Sequence, residues 1–252
     1  DVNGLELSAI NIEENGNKKP FNYVVPPGII RDNVVGATGT GALQNEQALD
    51  MKFTGLAPNQ GRAAFKLFAS DLRVYDRLKM FVHAESIEQP YSGTGLDGKM
   101  CAFMRVGSDF ESNYYEYEIP LELTKQKGLP TNLTVPGTNG TGINPYADSI
   151  WNTANTFDFA LQSFIAAKKL RNAQNAPLSD VFTIVDSENP THKIKIKGNP
   201  DLGLVKGIMI GAYNKDGVPH QLELWVNELR VSGLNEHAGA AALARVDIKM
   251  AD

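Results

Sequence analysis

A chain of 252 residues, 42% hydrophobic and 21% charged, has the makeup of a folded globular protein and enough length to bury a core. Lysine and arginine total 24 against 29 aspartates and glutamates, a net charge of −5, which argues against a nucleic-acid binder that must meet phosphate with a basic face. The single cysteine, Cys101, excludes an internal disulfide and a cysteine-based zinc site, and no apolar run approaches the ~18 residues of a membrane-spanning helix. The chain opens on Asp1, with neither Met nor a signal peptide, and is expected to be part of something longer.

Most readable segments alternate apolar and polar residues, the period of a half-buried strand. The Gly-, Thr- and Asn-rich stretch Gly36 to Gln47 reads as a long loop. Strands are predicted over Leu78 to Glu85, Met100 to Val106 and Tyr114 to Ile119. Gly128 to Thr156, with Pro130, Pro136, Gly137, Gly140, Gly142 and Pro145, reads as a second long loop, inserted at about 128–156. Gln162 to Ala173 is the one helix, with Phe164, Ile165 and Leu170 sharing a face and Lys168, Lys169 and Arg171 towards its favourable C-terminal end. Strands follow at Val181 to Val185, Lys193 to Lys197, Val205 to Tyr213 and Leu222 to Val231. The lysines of His192-Lys193-Ile194-Lys195-Ile196-Lys197 form a solvated face of the kind that protects a sheet edge. Turn residues at Gly93-Thr94-Gly95, Asp97-Gly98, Gly198-Asn199-Pro200 and Asp216-Gly217 separate these runs. So many strands with so little helix predict a mainly β chain, an antiparallel β-sandwich rather than a doubly wound sheet.

The chemistry-bearing motifs are few. Val34-Val35-Gly36-Ala37-Thr38-Gly39-Thr40-Gly41 looks like a phosphate-cradling turn, but it misses the G-x-G-x-x-G spacing and no βαβ pattern follows. His83, His192, His220 and His237 are scattered and fit no metal-ligand spacing, no G-x-S-x-G elbow is present, and no D-x-D-x-D-G run supports calcium. Glu116 and Glu118 flank Tyr117 and share one strand face, too close for two separated acid–base roles and read as a solvated stripe. Cys101, among soft apolar residues, reads as a buried inert thiol. Tyr114, Tyr117 and Trp151 are the candidate binding residues, because aromatic rings on a sheet face can stack on sugars. The alternative is that Tyr115 and Tyr117 enter the core while Tyr114 covers an edge.

The C-terminal part is the most specific. Leu222 to Val231 is followed by a turn-rich link, and Ala244-Arg245-Val246-Asp247-Ile248-Lys249-Met250 then alternates apolar with charged, as a barrel strand with a wet lumen would. Leu224-Trp225-Val226-Asn227-Glu228-Leu229-Arg230 with Gly233, leading to Ala244-Arg245-Val246, resembles the SprA/Sov family of the type IX secretion and gliding-motility machinery. The resemblance continues in Asp71-Leu72-Arg73-Val74-Tyr75, in Leu78 to Glu85 and in Asn113 to Leu121. It also takes in Lys206-Gly207-Ile208-Met209-Ile210-Gly211 and Pro26-Pro27-Gly28-Ile29, so that the blocks keep the family's order over roughly 26–252. Gly239-Ala240-Ala241-Ala242 departs from it, where a tryptophan is expected.

The resemblance implies an outer-membrane β-barrel translocon. This chain would supply a jelly-roll, galactose-binding-like sandwich over 1–240 and the start of a barrel strand over 241–252. Its role would be non-enzymatic: covering the pore mouth, or docking on partner subunits or cargo, on the extracellular or the periplasmic side. Implied partners are the rest of the barrel, the PorV shuttle, a plug protein and exported proteins with C-terminal sorting domains. No cofactor is implied. Trp225, Asn227, Glu228 and Arg230 carry the family signature and are expected to serve folding, Trp225 as a packing anchor and Glu228 with Arg230 as a cross-strand charge network. A carbohydrate-binding module at the cell surface is the alternative function, and a hydrolase needing two carboxylates in one cleft comes last.

Overall fold

The computed structural model of the chain describes residues 4–31, 33–35, 41–88, 95–125 and 146–234. In chain order its strands are β1 (Leu5–Asn11), β2 (Asn33–Val35), β3 (Gly41–Leu43), β4 (Gln47–Leu56), β5 (Gly61–Ser70), β6 (Tyr75–Ser86), β7 (Met100–Gly107), β8 (Tyr114–Pro120), β9 (Phe157–Ala160), β10 (Phe182–Val185), β11 (Lys193–Lys197), β12 (Val205–Asn214) and β13 (His220–Leu234). The helices are α1 (Ile12–Asn15), α2 (Ala147–Ile150) and α3 (Gln162–Ala173). One sheet has the order β1-β4-β13-β6-β9 and the other β10-β11-β8-β7-β12-β5. Every pairing is antiparallel, and the chain crosses repeatedly between the layers, so the predicted β-sandwich is what forms.

Strand parity builds the core. Leu78, Met80, Val82 and Ala84 of β6 and Leu222, Leu224 and Val226 of β13 face Met100, Ala102, Met104 and Val106 of β7 and Tyr115, Tyr117 and Ile119 of β8, all buried. Helix α3 closes one end of this core. Its buried residues are Phe164, Ala167 and Arg171, spaced to share a face, and Phe164 stacks on Tyr115 at 4.9 Å between ring centroids. Leu170, expected on that face, is exposed instead, and Arg171 turns inward because its guanidinium donates to the Gly198 carbonyl and to Asn172 Oδ1.

Several other expectations change. Strand β11 lies one strand in from the edge, between β10 and β8, so its lysines do not guard an edge. β8 is likewise interior, and Tyr114 covers no edge. Within the 128–156 loop, residues 146–156 are folded, with α2 and a 3-10 turn at Thr153–Asn155 carrying buried Ile150, Trp151 and Asn155. The glycine-rich stretch after Val35 leads into β3, which pairs back on β2 (Val34 opposite Ala42) and is followed by strand β4, not by a helix. The predicted terminal strand, His237 and most of the 128–156 loop lie outside the described residues.

Tyr117 stacks across the layers on Phe159 of β9, nearly parallel rings with centroids 3.9 Å apart, with Phe164 edge-on to Phe159 at 5.2 Å. Phe159→Ala empties the middle of this stack and is expected to cost about 3–5 kcal/mol, read as a lower urea midpoint with an unchanged slope.

Candidate functional site

The outer face of the five-stranded sheet carries polar residues that are nevertheless buried. Register sets Ser8 opposite Asp50, Asp50 opposite Trp225 and Trp225 opposite His83; the next row brings Lys52, Glu223 and Glu85 together. A second layer seals them. Residues 16–26 run across the face without regular structure, pinned by the Tyr23 N–H to the Asn15 carbonyl and by Asn22 Nδ2 to the Gly16 carbonyl, and α2 lies beside them. Ile10, Phe21, Tyr23, Val24, Ile150, Trp151 and Trp225 form the apolar part of this cover.

Lys18 supplies the charge the face requires. Its Nζ lies 2.6 Å from Glu85 Oε1, 2.9 Å from Glu223 Oε1 and 5.0 Å from the centroid of the Trp225 ring. The Trp225 indole N–H donates to Glu223 Oε1 at 2.7 Å, and the His83 ring stacks on Trp225 at 3.9 Å. His83 Nδ1 lies 2.8 Å from the Ile150 carbonyl oxygen, which can only accept, so that nitrogen carries a proton. Burial opposes both charges of the pair, but the carboxylates around Lys18 raise its pKa, and His83 and Lys18 hold Glu85 below the usual carboxylate range. Lys18→Met leaves two buried glutamates facing each other and is expected to lower stability by about 3–5 kcal/mol; adding Glu85→Gln should recover part of that loss in the same denaturation experiment.

Asp50, like Glu85 at Oε2 and His83 at Nε2, has a buried polar atom without a hydrogen bond. It accepts from Ser8 Oγ at 3.0 Å and lies 3.5 Å from Lys52 Nζ, but its Oδ1 is buried with no partner. Burial and the nearby Glu223 charge push its carboxyl up to about 7 from an ordinary value of 3.8. The folded protein therefore binds more protons here than the unfolded chain between about pH 4 and 7, and this group's contribution to stability falls as pH rises through that window. Asp50→Asn should unfold at a higher temperature than the parent at pH 8, with the gain shrinking as pH approaches 4.

The signature residues sit at one end of this face. Trp225 is fully buried, between Tyr23, Trp151 and His83. Asn227 Nδ2 donates to the Tyr23 hydroxyl at 3.0 Å and to Glu46 Oε1, Tyr23 donates to Glu46 Oε2 at 2.6 Å, and Asn227 Oδ1 accepts the Glu228 N–H. Glu228 has φ +53°, where the register of β13 against β6 shifts between Asn227 and Arg230. Arg230 Nε reaches Glu228 Oε2 at 3.1 Å, so this pair runs along one strand rather than across two. The bulge turns it that way.

The outer face of the six-stranded sheet is built differently. One register row reads Thr183, Lys195, Glu116, Arg105, Met209 and Phe65 from β10 to β5, and its neighbour Val185, Lys193, Glu118, Phe103, Gly211 and Ala63. Glu116 accepts from Arg105 Nη2 at 2.6 Å, Lys195 Nζ at 2.7 Å and the Tyr213 hydroxyl at 3.1 Å, while Glu118 meets Lys195 and, at 3.2 Å, Lys215. Both glutamates are buried, which corrects the solvated stripe expected of them: the longer cationic side chains lie over them. Burial works against a charged Glu118, but Lys195 and Lys215 hold it below its usual range; the Tyr213 hydroxyl is raised by burial and by Glu116. The Tyr213 ring can lie flat here because a Cβ at Gly61 would stand 2.3 Å from it.

The three aromatic candidates are all buried. Tyr114 lies under the Arg105 guanidinium, 3.8 Å from its ring centroid. Tyr117 points into the core, where its hydroxyl donates to Asp186 and approaches His192 Nδ1 at 3.0 Å. The Trp151 indole donates to the Val24 carbonyl at 2.7 Å. These rings do not form a sugar-stacking platform. Cys101 is buried, and burial with the nearby Glu118 pushes its thiol up to about 11. Sequence reasoning missed Lys18, Glu85, Glu223, Asp50, Arg105 and Lys195. Strand register gathers Asp50, Glu85 and Glu223 on one sheet and Arg105 and Lys195 on the other, and the irregular segment 16–26 brings Lys18 to the first group.

A family model described as motility related/secretion protein, SprA_N, matches residues 1–252. No curated protein matches the chain.

Proposed function

The chain belongs to the SprA_N family of motility-related secretion proteins, and on that premise we propose that it is a non-enzymatic structural and docking domain of an outer-membrane protein-export translocon of the type IX, gliding-motility kind. The observation that carries this reading is the family match over the whole chain. The geometry supports it in two ways. A double-layered body whose five-stranded sheet is sealed on its outer side by residues 16–26 and α2 is a stiff obstruction suited to a pore mouth. The second sheet presents a face of ion pairs suited to meeting other proteins. In this reading the domain is carried by a large barrel, lies on its extracellular side, and contacts the PorV shuttle, a plug protein or cargo with C-terminal sorting domains.

Ser179, exposed after α3, is a convenient reporter. With Ser179→Cys in a Cys101→Ser background, the protein is expected to fractionate with the outer membrane and to react with a membrane-impermeant maleimide on intact cells. Labelling only after permeabilisation would move the domain to the periplasmic side. Absence from the outer-membrane fraction would end the translocon reading.

A further inference from the structure

The outer face of the six-stranded sheet is uncovered: among the described residues no helix or further strand packs on it. Its strands are richer in cations than in anions. Arg105, Lys195 and Lys215 pair with Glu116 and Glu118, and Lys193 and Lys197 stand on the same face opposite Glu118 and Tyr114; of the carboxylates in the β7–β8 turn, Asp109 is occupied by the N–H groups of residues 111–113 and Glu111 is exposed. Glu116 and Glu118 are consumed by Arg105, Lys195 and Lys215, while Lys193 remains exposed at the margin. Large apolar side chains flank this cationic centre. At the β5 edge Phe65 is 58% and Leu67 69% exposed, with Phe110 of the β7–β8 turn against Phe65 at 5.6 Å; at the β10 edge Val185 is 57% exposed.

We propose that this face is the docking surface for an acidic polypeptide segment of a partner protein, whose carboxylates meet the lysine-rich centre and whose apolar residues cover Phe65 and Leu67. The proposal rests on the docking role given above and names the surface and the chemistry of what it holds. A second copy of this chain is disfavoured, because face-to-face pairing would set the same lysines against each other. A neutral polysaccharide fits less well: Phe65 could stack on a sugar ring, but the lysines would meet no opposite charge. Charge complementarity of this kind steers encounter and weakens with salt.

Poly-L-glutamate is the probe, titrated into the chain by calorimetry at low and at physiological salt. Saturable binding is expected, weakened roughly tenfold by Lys193→Glu with Lys197→Glu and changed less than about twofold by Lys169→Glu on α3. No binding at low salt, or an equal loss in the α3 variant, would overturn the proposal. So would tighter binding to polygalacturonate or to phosphatidylglycerol vesicles, which would make the face a glycan or lipid site. A cellular comparison separates this idea from the export role. If the double reversal, folded with the parent's melting temperature, leaves export normal while removal of the domain stops it, the surface is wrong and the role stands. If removal leaves export intact, the role itself falls. Impaired export in both supports surface and role together.

Discussion

Two glutamates set directly across from each other on neighbouring strands impose the main constraint on this molecule. Glu85 of β6 and Glu223 of β13 are register partners on a face that is sealed from water, and two adjacent carboxylates cannot both stay ionised there without a cation between them. Lys18 is that cation, and its position fixes the path of the segment that carries it. Residues 16–26 must cross the sheet at this point, which brings Tyr23 to Glu46 and Asn227 and the Val24 carbonyl to the Trp151 indole. Register already stacks His83 on Trp225, and His83 Nδ1 then meets the Ile150 carbonyl of α2 beside the segment that Lys18 anchors.

The two sheets solve the same problem by different means. On the five-stranded sheet, polar side chains are hidden beneath a separate segment of chain. On the six-stranded sheet, Glu116 and Glu118 are hidden beneath their own neighbours, the stems of Arg105, Lys195 and Tyr213 lying over them. The first arrangement makes a finished surface. The second turns the charged ends of Arg105 and Lys195 down onto the glutamates and leaves Lys193 exposed beside them.

Alternation was enough to read the layered core. Leu78 to Glu85, Lys193 to Lys197 and Leu222 to Val231 all became strands, and the helix at Gln162–Ala173 formed over those residues, because in each the apolar side chains recur at the period of the element. Strands β4 and β5 were not picked out. In β5, Phe65 and Leu67 point away from the core and blur the pattern. The family signature was legible as a string, but its meaning was not. That Asn227 serves Tyr23 and Glu46 depends on residues some 180 to 200 positions away, and that Glu228 occupies a positive-φ bulge depends on pairing with β6, about 150 positions away. The buried charges failed for the same reason: an acidic residue on a strand reads as solvent-facing until a distant segment is known to cover it.

The position of β12 and β13 in the sheets bears on when the fold can form. They are the last two described strands in the chain, yet each is interior: β12 separates β7 from β5, and β13 separates β4 from β6. Until residues 205–234 are in place, both layers are split into halves that do not pair with each other, and four strands present unpaired edges. Contacts of such long sequence separation make folding slow and late. The chain therefore stays open along most of its length until β12 and β13 enter, one completing each sheet.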